Sequence, residues 1–98
     1  MTRLVLAGRL VDDFARIEAH LLAQEVADVD GRLMEIVDAL QALALHPLIG
    51  RKVASGKREL VIGRGSRGYV ARYVYDMHDD VVAVTALRAQ KEVGFEDG

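Results

Sequence analysis

Residues 58–87 read RELVIGRGSRGYVARYVYDMHDDVVAVTAL, and the spacing of apolar residues along them decides the fold. Arg58-Glu59-Leu60-Val61-Ile62 has the length and composition of a strand, and Tyr69 to Tyr75 alternates, with Tyr69, Ala71, Tyr73 and Tyr75 on one face and Val70, Arg72 and Val74 on the other. Val81 to Leu87 is β-branched and almost continuously apolar, the pattern of an interior strand. Between the first two runs, Gly63-Arg64-Gly65-Ser66-Arg67-Gly68 reads as a mobile basic hairpin loop whose three glycines permit positive φ. It fits neither a Walker nor a dinucleotide fingerprint, because it joins two strands and no helix follows. Asp76 to Asp80 supplies the second turn. Three consecutive strands joined by short turns predict an antiparallel meander.

Upstream the period changes. Leu33, Ile36, Val37, Leu40 and Leu43 recur at helical spacing, and Pro47 stops that helix because it lacks an N–H and moves His46 out of helical geometry. Leu10, Phe14, Ile17 and Leu21 mark an earlier amphipathic helix, with Asp12 and Asp13 in the first turn where the helix dipole favours negative charge. Asp28-Val29-Asp30-Gly31 interrupts the two, so they form a hairpin. Arg3 to Ala7, closed by Gly8, is a short apolar run with the length of a buried strand, and Leu48 to Gly56 is a connector. The predicted fold class is α+β: a two-layer β-α-α-β-β-β domain, with a helix hairpin packed on a mainly antiparallel sheet.

Length and composition narrow the rest. A chain of 98 residues, 51% of them hydrophobic, suffices for one core burying roughly 65% of its unfolded surface, so residues 1–98 are expected to form a single domain. There is no cysteine, which excludes disulfides, cysteine zinc sites and thiol chemistry and is compatible with the cytoplasm. No apolar run approaches the about 20 residues a membrane-spanning helix needs, and Leu4 to Ala7 is too short for a signal-peptide core, so a soluble protein is expected.

Charge is unevenly distributed. Residues 51–75 carry seven basic side chains (Arg51, Lys52, Lys57, Arg58, Arg64, Arg67 and Arg72) and one acid, Glu59. Residues 1–50 carry four basic and eight acidic groups and residues 76–98 carry two and six, so the local net charges are −4, +6 and −4. By itself such a block reads as a solvated basic face. Placed on a sheet, it suits an anionic macromolecular partner.

The chain resembles the RelE/ParE superfamily of toxins from bacterial type II toxin–antitoxin modules, which includes plasmid stabilisation proteins. Three stretches carry the resemblance: the helix hairpin from Asp12-Asp13-Phe14-Ala15-Arg16-Ile17 to Ile36-Val37-Asp38-Ala39-Leu40-Gln41-Ala42-Leu43; His46-Pro47-Leu48-Ile49-Gly50-Arg51 with Arg58-Glu59-Leu60; and Tyr69 to Tyr73, Val81 to Leu87 and the tail Arg88-Ala89-Gln90-Lys91-Glu92-Val93-Gly94-Phe95. The resemblance implies a growth inhibitor held inactive by a cognate antitoxin in a hetero-oligomer. It offers two targets, DNA gyrase for ParE-like action and ribosome-bound mRNA for RelE-like cleavage. The chain departs from the pattern at Ala89, where many relatives have histidine, and at Phe95, near which mRNA-cleaving relatives tend to place a tyrosine. A benzyl ring moves no proton. The expectation is therefore gyrase inhibition, with the mRNA endoribonuclease as the alternative and a non-toxic interaction domain on the same scaffold as a third reading.

If the chain cleaves RNA, Lys52, Lys57, Arg58, Arg72 and Arg88 are the catalytic candidates, because the phosphorane-like state needs cations and a lysine among cations can serve as a base once its pKa falls. The candidate binding set is Arg51, Lys52, Lys57, Arg58, Arg64, Arg67, Arg72, Arg88, Lys91 and Phe95. Tyr69, Tyr73 and Tyr75 share a strand face and form either a base-stacking platform or core packing, with Tyr73 read as core. His20, His46 and His78 lack the pairing of a metal site and read as exposed or capping groups. No metal and no cofactor is expected.

Overall fold

The computed structural model describes residues 2–91, the side chain of Ser66 excepted. Its elements are β1 (Arg3–Leu6), α1 (Leu10–Ala23), α2 (Val29–Ala42), β2 (Arg51–Lys52), β3 (Arg58–Ile62), β4 (Tyr69–Asp76) and β5 (Val81–Ala89). The five strands form one sheet in the order β1-β5-β4-β3-β2. The β1–β5 pair is parallel and the other three pairs are antiparallel, so the expected mainly antiparallel α+β architecture is present.

The core forms where the apolar stripes of the two helices meet one face of the sheet. Leu10, Ile17 and Leu21 come from α1, Ile36 and Leu40 from α2 and Leu43 from its exit, and they pack on Ile62, Tyr69, Ala71, Tyr73, Val82, Val84 and Leu87. Each such fully buried aliphatic side chain contributes roughly 1.5–3 kcal/mol through removal from water. The helix hairpin turns at Glu25, whose φ is 54°. Asp28 then caps α2 by accepting a hydrogen bond from the Gly31 N–H at 3.0 Å. What reads in sequence as an interruption is thus the cap and first turn of a helix, because an aspartate side chain can satisfy a donor that the helix itself leaves open.

Several boundaries differ from the sequence reading. The connector contains a two-residue strand, β2, which is too short to show a period. β5 runs two residues past Leu87. β1 is an edge strand with Arg3, Val5 and Leu6 exposed, and not a buried one; its apolar composition alone could not reveal that it has a neighbour on one side only. The Gly63–Gly68 loop contains a single 3-10 turn at Gly65–Arg67, with positive φ at Gly63 and Gly65 but −84° at Gly68.

Two side-chain arrangements complete the backbone pairing. Beyond Leu6 the chain leaves β1 and enters α1, so β5 loses its neighbouring strand. Asp13, 4% exposed, takes that place by accepting from the Leu87 N–H at 3.0 Å, while Arg16 donates to the Leu87 carbonyl at 2.9 Å and to Asp13 at 2.9 Å. At the opposite end, the hydroxyls of Thr2 and Tyr75 both donate to Asp80 at 2.7 Å, fixing the turn between β4 and β5. Those bonds hold the Asp80 carboxyl below its ordinary pKa.

Candidate functional site

Strand register sorts the candidate residues into separate places. Opposed residues of an antiparallel pair point to the same face. Arg58 is opposite Tyr73, and Tyr73 is a core residue, so Arg58 points toward the helix side. Glu59 is opposite both Arg72 and Arg51, and Val70 is opposite Arg88, so Arg51, Glu59, Arg72 and Arg88 share the face away from the helices. Arg58, a catalytic candidate together with Arg72 and Arg88, therefore does not share their face. Arg58 instead donates to the carbonyls of Gly50 at 2.7 Å and Leu48 at 3.2 Å, which tethers the loop after α2.

On the open face, the single acid of the basic block organises its neighbours. Glu59 is 7% exposed, accepts from Arg72 at 3.0 Å and lies 3.4 Å from Arg51. Burial acts to raise its pKa, but the hydrogen bonds and charges of Arg72 and Arg51 outweigh that effect, and the carboxyl lies below its ordinary value. Glu59 thus stays ionised and fixes Arg72, whose side chain is 22% exposed, while Arg51 remains 75% exposed. Arg72 and Arg88 occupy one diagonal of a four-residue array whose other diagonal is Val70 and Ala86. A bulge between Arg72 and Tyr73 sets their position, with the Thr85 hydroxyl donating to the Arg72 carbonyl at 3.3 Å.

This array sets fixed positive charge beside Val70 and Ala86, which are themselves buried. Guanidinium groups keep their protons, so they hold and orient anions and do not act as acids or bases. The stacking platform is not formed: Tyr69, Tyr73 and Tyr75 all point to the helix side, with Tyr69 and Tyr73 4% and 0% exposed. The core reading of Tyr73 is correct. None of the three histidines lies on a strand. Lys52 and Lys57 flank Arg58 at the β2–β3 edge, Lys52 exposed and Lys57 half-buried. Arg64 is exposed before the 3-10 turn, and Phe95 lies outside the described residues.

A second cationic region was missed in the sequence. A groove of about 940 Å³ lies where the far end of the helix hairpin meets the β3–β4 turn and the end of β5. Arg16, Arg32, Arg67 and Lys91 line it together with His20, over an apolar floor that includes Ile17, Leu21, Val26 and Tyr69. Arg67 and Lys91 belong to the sequence set, whereas Arg16 and Arg32 come from acidic segments where no local charge excess signals them. The spacing of Arg16, His20 and Gln24 at steps of four places all three on one helix face, and that was the available signal.

Comparison with known proteins gives consistent results. A family model described as the ParE toxin of the type II toxin–antitoxin system parDE matches residues 4–94. Toxin RelE3 of Caulobacter vibrioides is 27% identical over 92 residues, which covers 94% of this chain and 98% of that protein. Among solved structures, the chromosomal ParDE TA system from P. aeruginosa shares the fold with a TM-score of 0.73 at 16% identity, covering 91% of this chain and 96% of that chain.

Proposed function

The chain belongs to the ParE toxin family of type II toxin–antitoxin systems, and we propose that it arrests growth by inhibiting DNA gyrase and is neutralised in the cytoplasm by a cognate antitoxin. The observation that carries the choice of target is the chemistry of the open sheet face. Its strands present Arg51, Arg72 and Arg88 around a buried Glu59, and among the described residues no imidazole or phenol stands on that face to move a proton. A surface of fixed cations suits tight binding of an acidic protein surface, whereas strand cleavage of RNA also requires an acid and a base. The name of the RelE3 relative keeps RNA cleavage as the alternative, and Arg72 with Arg88 would then bind phosphates.

For the antitoxin, the groove beside Arg16, Arg32, Arg67 and Lys91 is the favoured docking surface. Its apolar floor and cationic rim match an acidic amphipathic segment that orders on binding.

The test is a reaction containing purified toxin, gyrase, relaxed plasmid and ATP, run beside programmed ribosomes carrying mRNA. Loss of supercoiling with intact mRNA is the expected result. Discrete mRNA fragments that disappear when ribosomes are omitted would establish the alternative, and normal growth of cells making the folded protein would show an interaction domain without toxicity.

A further inference from the structure

β5 stops at Ala89, the backbone turns at Gln90 and Lys91, and the Gln90 N–H donates to the Gly68 carbonyl at 2.9 Å. That bond pins the exit of the strand against the β3–β4 turn. Ala89 and Lys91 both line the cationic groove. The chain therefore leaves the described residues at the edge of the groove and not at a remote corner of the domain.

The next residues are Glu92-Val93-Gly94-Phe95-Glu96-Asp97-Gly98, with three carboxylates and no basic side chain. The groove has the opposite composition: among the described residues, Arg16, Arg32, Arg67 and Lys91 line it and no Asp or Glu does. In an extended segment Val93 and Phe95 fall on one side and Glu92 and Glu96 on the other, so an apolar side can meet the floor of Ile17, Leu21 and Tyr69 while the carboxylates meet the rim. The reach is sufficient. Seven extended residues span about 23 Å, whereas Arg16 to Gln24 along α1 covers only about 12 Å. Tethering favours this occupant over any free acidic segment, because a segment joined at the edge of its site acts at an effective concentration in the millimolar range.

We propose that residues 92–98 occupy the groove of their own chain, Val93 and Phe95 against its floor and Glu92, Glu96 and Asp97 toward its cations, and that they form a built-in competitor which an antitoxin segment must displace. The docking stands on the groove and the segment; the competition rests on the reading of the groove as the antitoxin's surface. At a millimolar effective concentration even weak contacts keep the groove filled for much of the time. The apparent affinity for an incoming acidic segment is thereby lowered about two- to tenfold.

The chain has no cysteine, so Gly98→Cys carries a single nitroxide label. In the labelled full chain the backbone amides of His20, Gln24 and Arg32 should broaden in NMR spectra, while those of Met77 and His78, at the other end of β4 and β5, stay sharp. Val93→Ser combined with Phe95→Ser should remove the broadening, and salt at about 1 M should reduce it. Broadening centred on Arg72 and Val74 of the open sheet face, or none at the groove amides, would overturn the proposal. A second measurement titrates a synthetic peptide of residues 92–98 into the chain ended at Lys91, with its fold checked by circular dichroism, and into the full chain. The groove amides should shift in both, and the full chain should need at least about fivefold more peptide for the same shift. An equal response of the two chains would show that the groove is not occupied in cis. Neither measurement contains an antitoxin, so a failure here is distinct from a failure of the antitoxin reading, which would leave both expected results in place.

Discussion

At Tyr73 one hydroxyl both accepts the Gly50 N–H and donates to the Pro47 carbonyl, while the ring is wholly buried. Tyr73→Phe keeps the ring and removes both bonds, leaving a buried N–H without its acceptor. The expected loss is about 1–3 kcal/mol in urea denaturation. Gly50→Ala should cost a similar amount through overpacking against that hydroxyl. If both variants unfold within half a kilocalorie of wild type, roughly the scatter of neutral surface changes, the bracing has been overestimated. Glu59 gives a pH-dependent prediction. Its folded pKa lies below the unfolded value near 4.5, so its stabilising effect is complete above that value and disappears as pH falls through the folded pKa. Glu59→Gln should therefore be less stable than wild type at neutral pH by on the order of 1 kcal/mol, the exposure of Arg51 reducing the value, and the difference should close as pH falls from neutral through the folded pKa of Glu59. A constant difference across that range would show that the lost stability is packing and not charge.

The join between α1 and β5 depends on Asp13 and Arg16 acting where a strand ends. In the sequence Asp13 reads as an acid placed for the helix dipole, yet it and Arg16 both bind the backbone of Leu87. Asp13→Ala should destabilise by about 1–3 kcal/mol, because the buried Leu87 N–H would lose its acceptor, whereas the exposed Asp12→Ala should stay within half a kilocalorie. Amide exchange gives the sharper measurement. Leu87 should lose protection in Asp13→Ala beyond the global change in stability, and equal protection in the two variants would mean that the clamp does not hold the edge.

For the whole molecule, charge is polarised on two surfaces that the fold keeps apart, the open sheet face and the groove at the far end of the helix hairpin. If the open face meets the target, Arg72→Ala combined with Arg88→Ala should weaken toxicity at least tenfold in folded protein, while Arg32→Ala with Lys91→Ala should weaken antitoxin binding and leave toxicity in place. Each desolvated contact to an anionic partner contributes roughly 1.5–3 kcal/mol, enough for these effects. Arg58→Ala should act through the loop it tethers, so its effect should follow unfolding free energy and not target affinity. Growth assays, binding titration and denaturation of the same variants separate the cases. The reverse pattern, with toxicity lost on the groove side, would exchange the two surfaces.

By itself the sequence determined the two helices, the three-stranded meander and the stop at Pro47, because periods of 3.6 and 2 and the chemistry of proline act over a few neighbouring residues. Residue order and a resemblance extending over the helices and strands also placed the chain in its superfamily. Only the tertiary structure decided that β1 is an edge strand, that Arg51–Lys52 pairs with β3, and that Glu59 gathers Arg72 and Arg51 while Arg58 turns to the other side. It likewise decided that Arg16 and Arg32 join Arg67 and Lys91 at one groove. The physical reason is common to all of these: neighbour count, register and the meeting of charges distant in sequence depend on which strands and helices pair, and no local pattern of residues encodes that pairing.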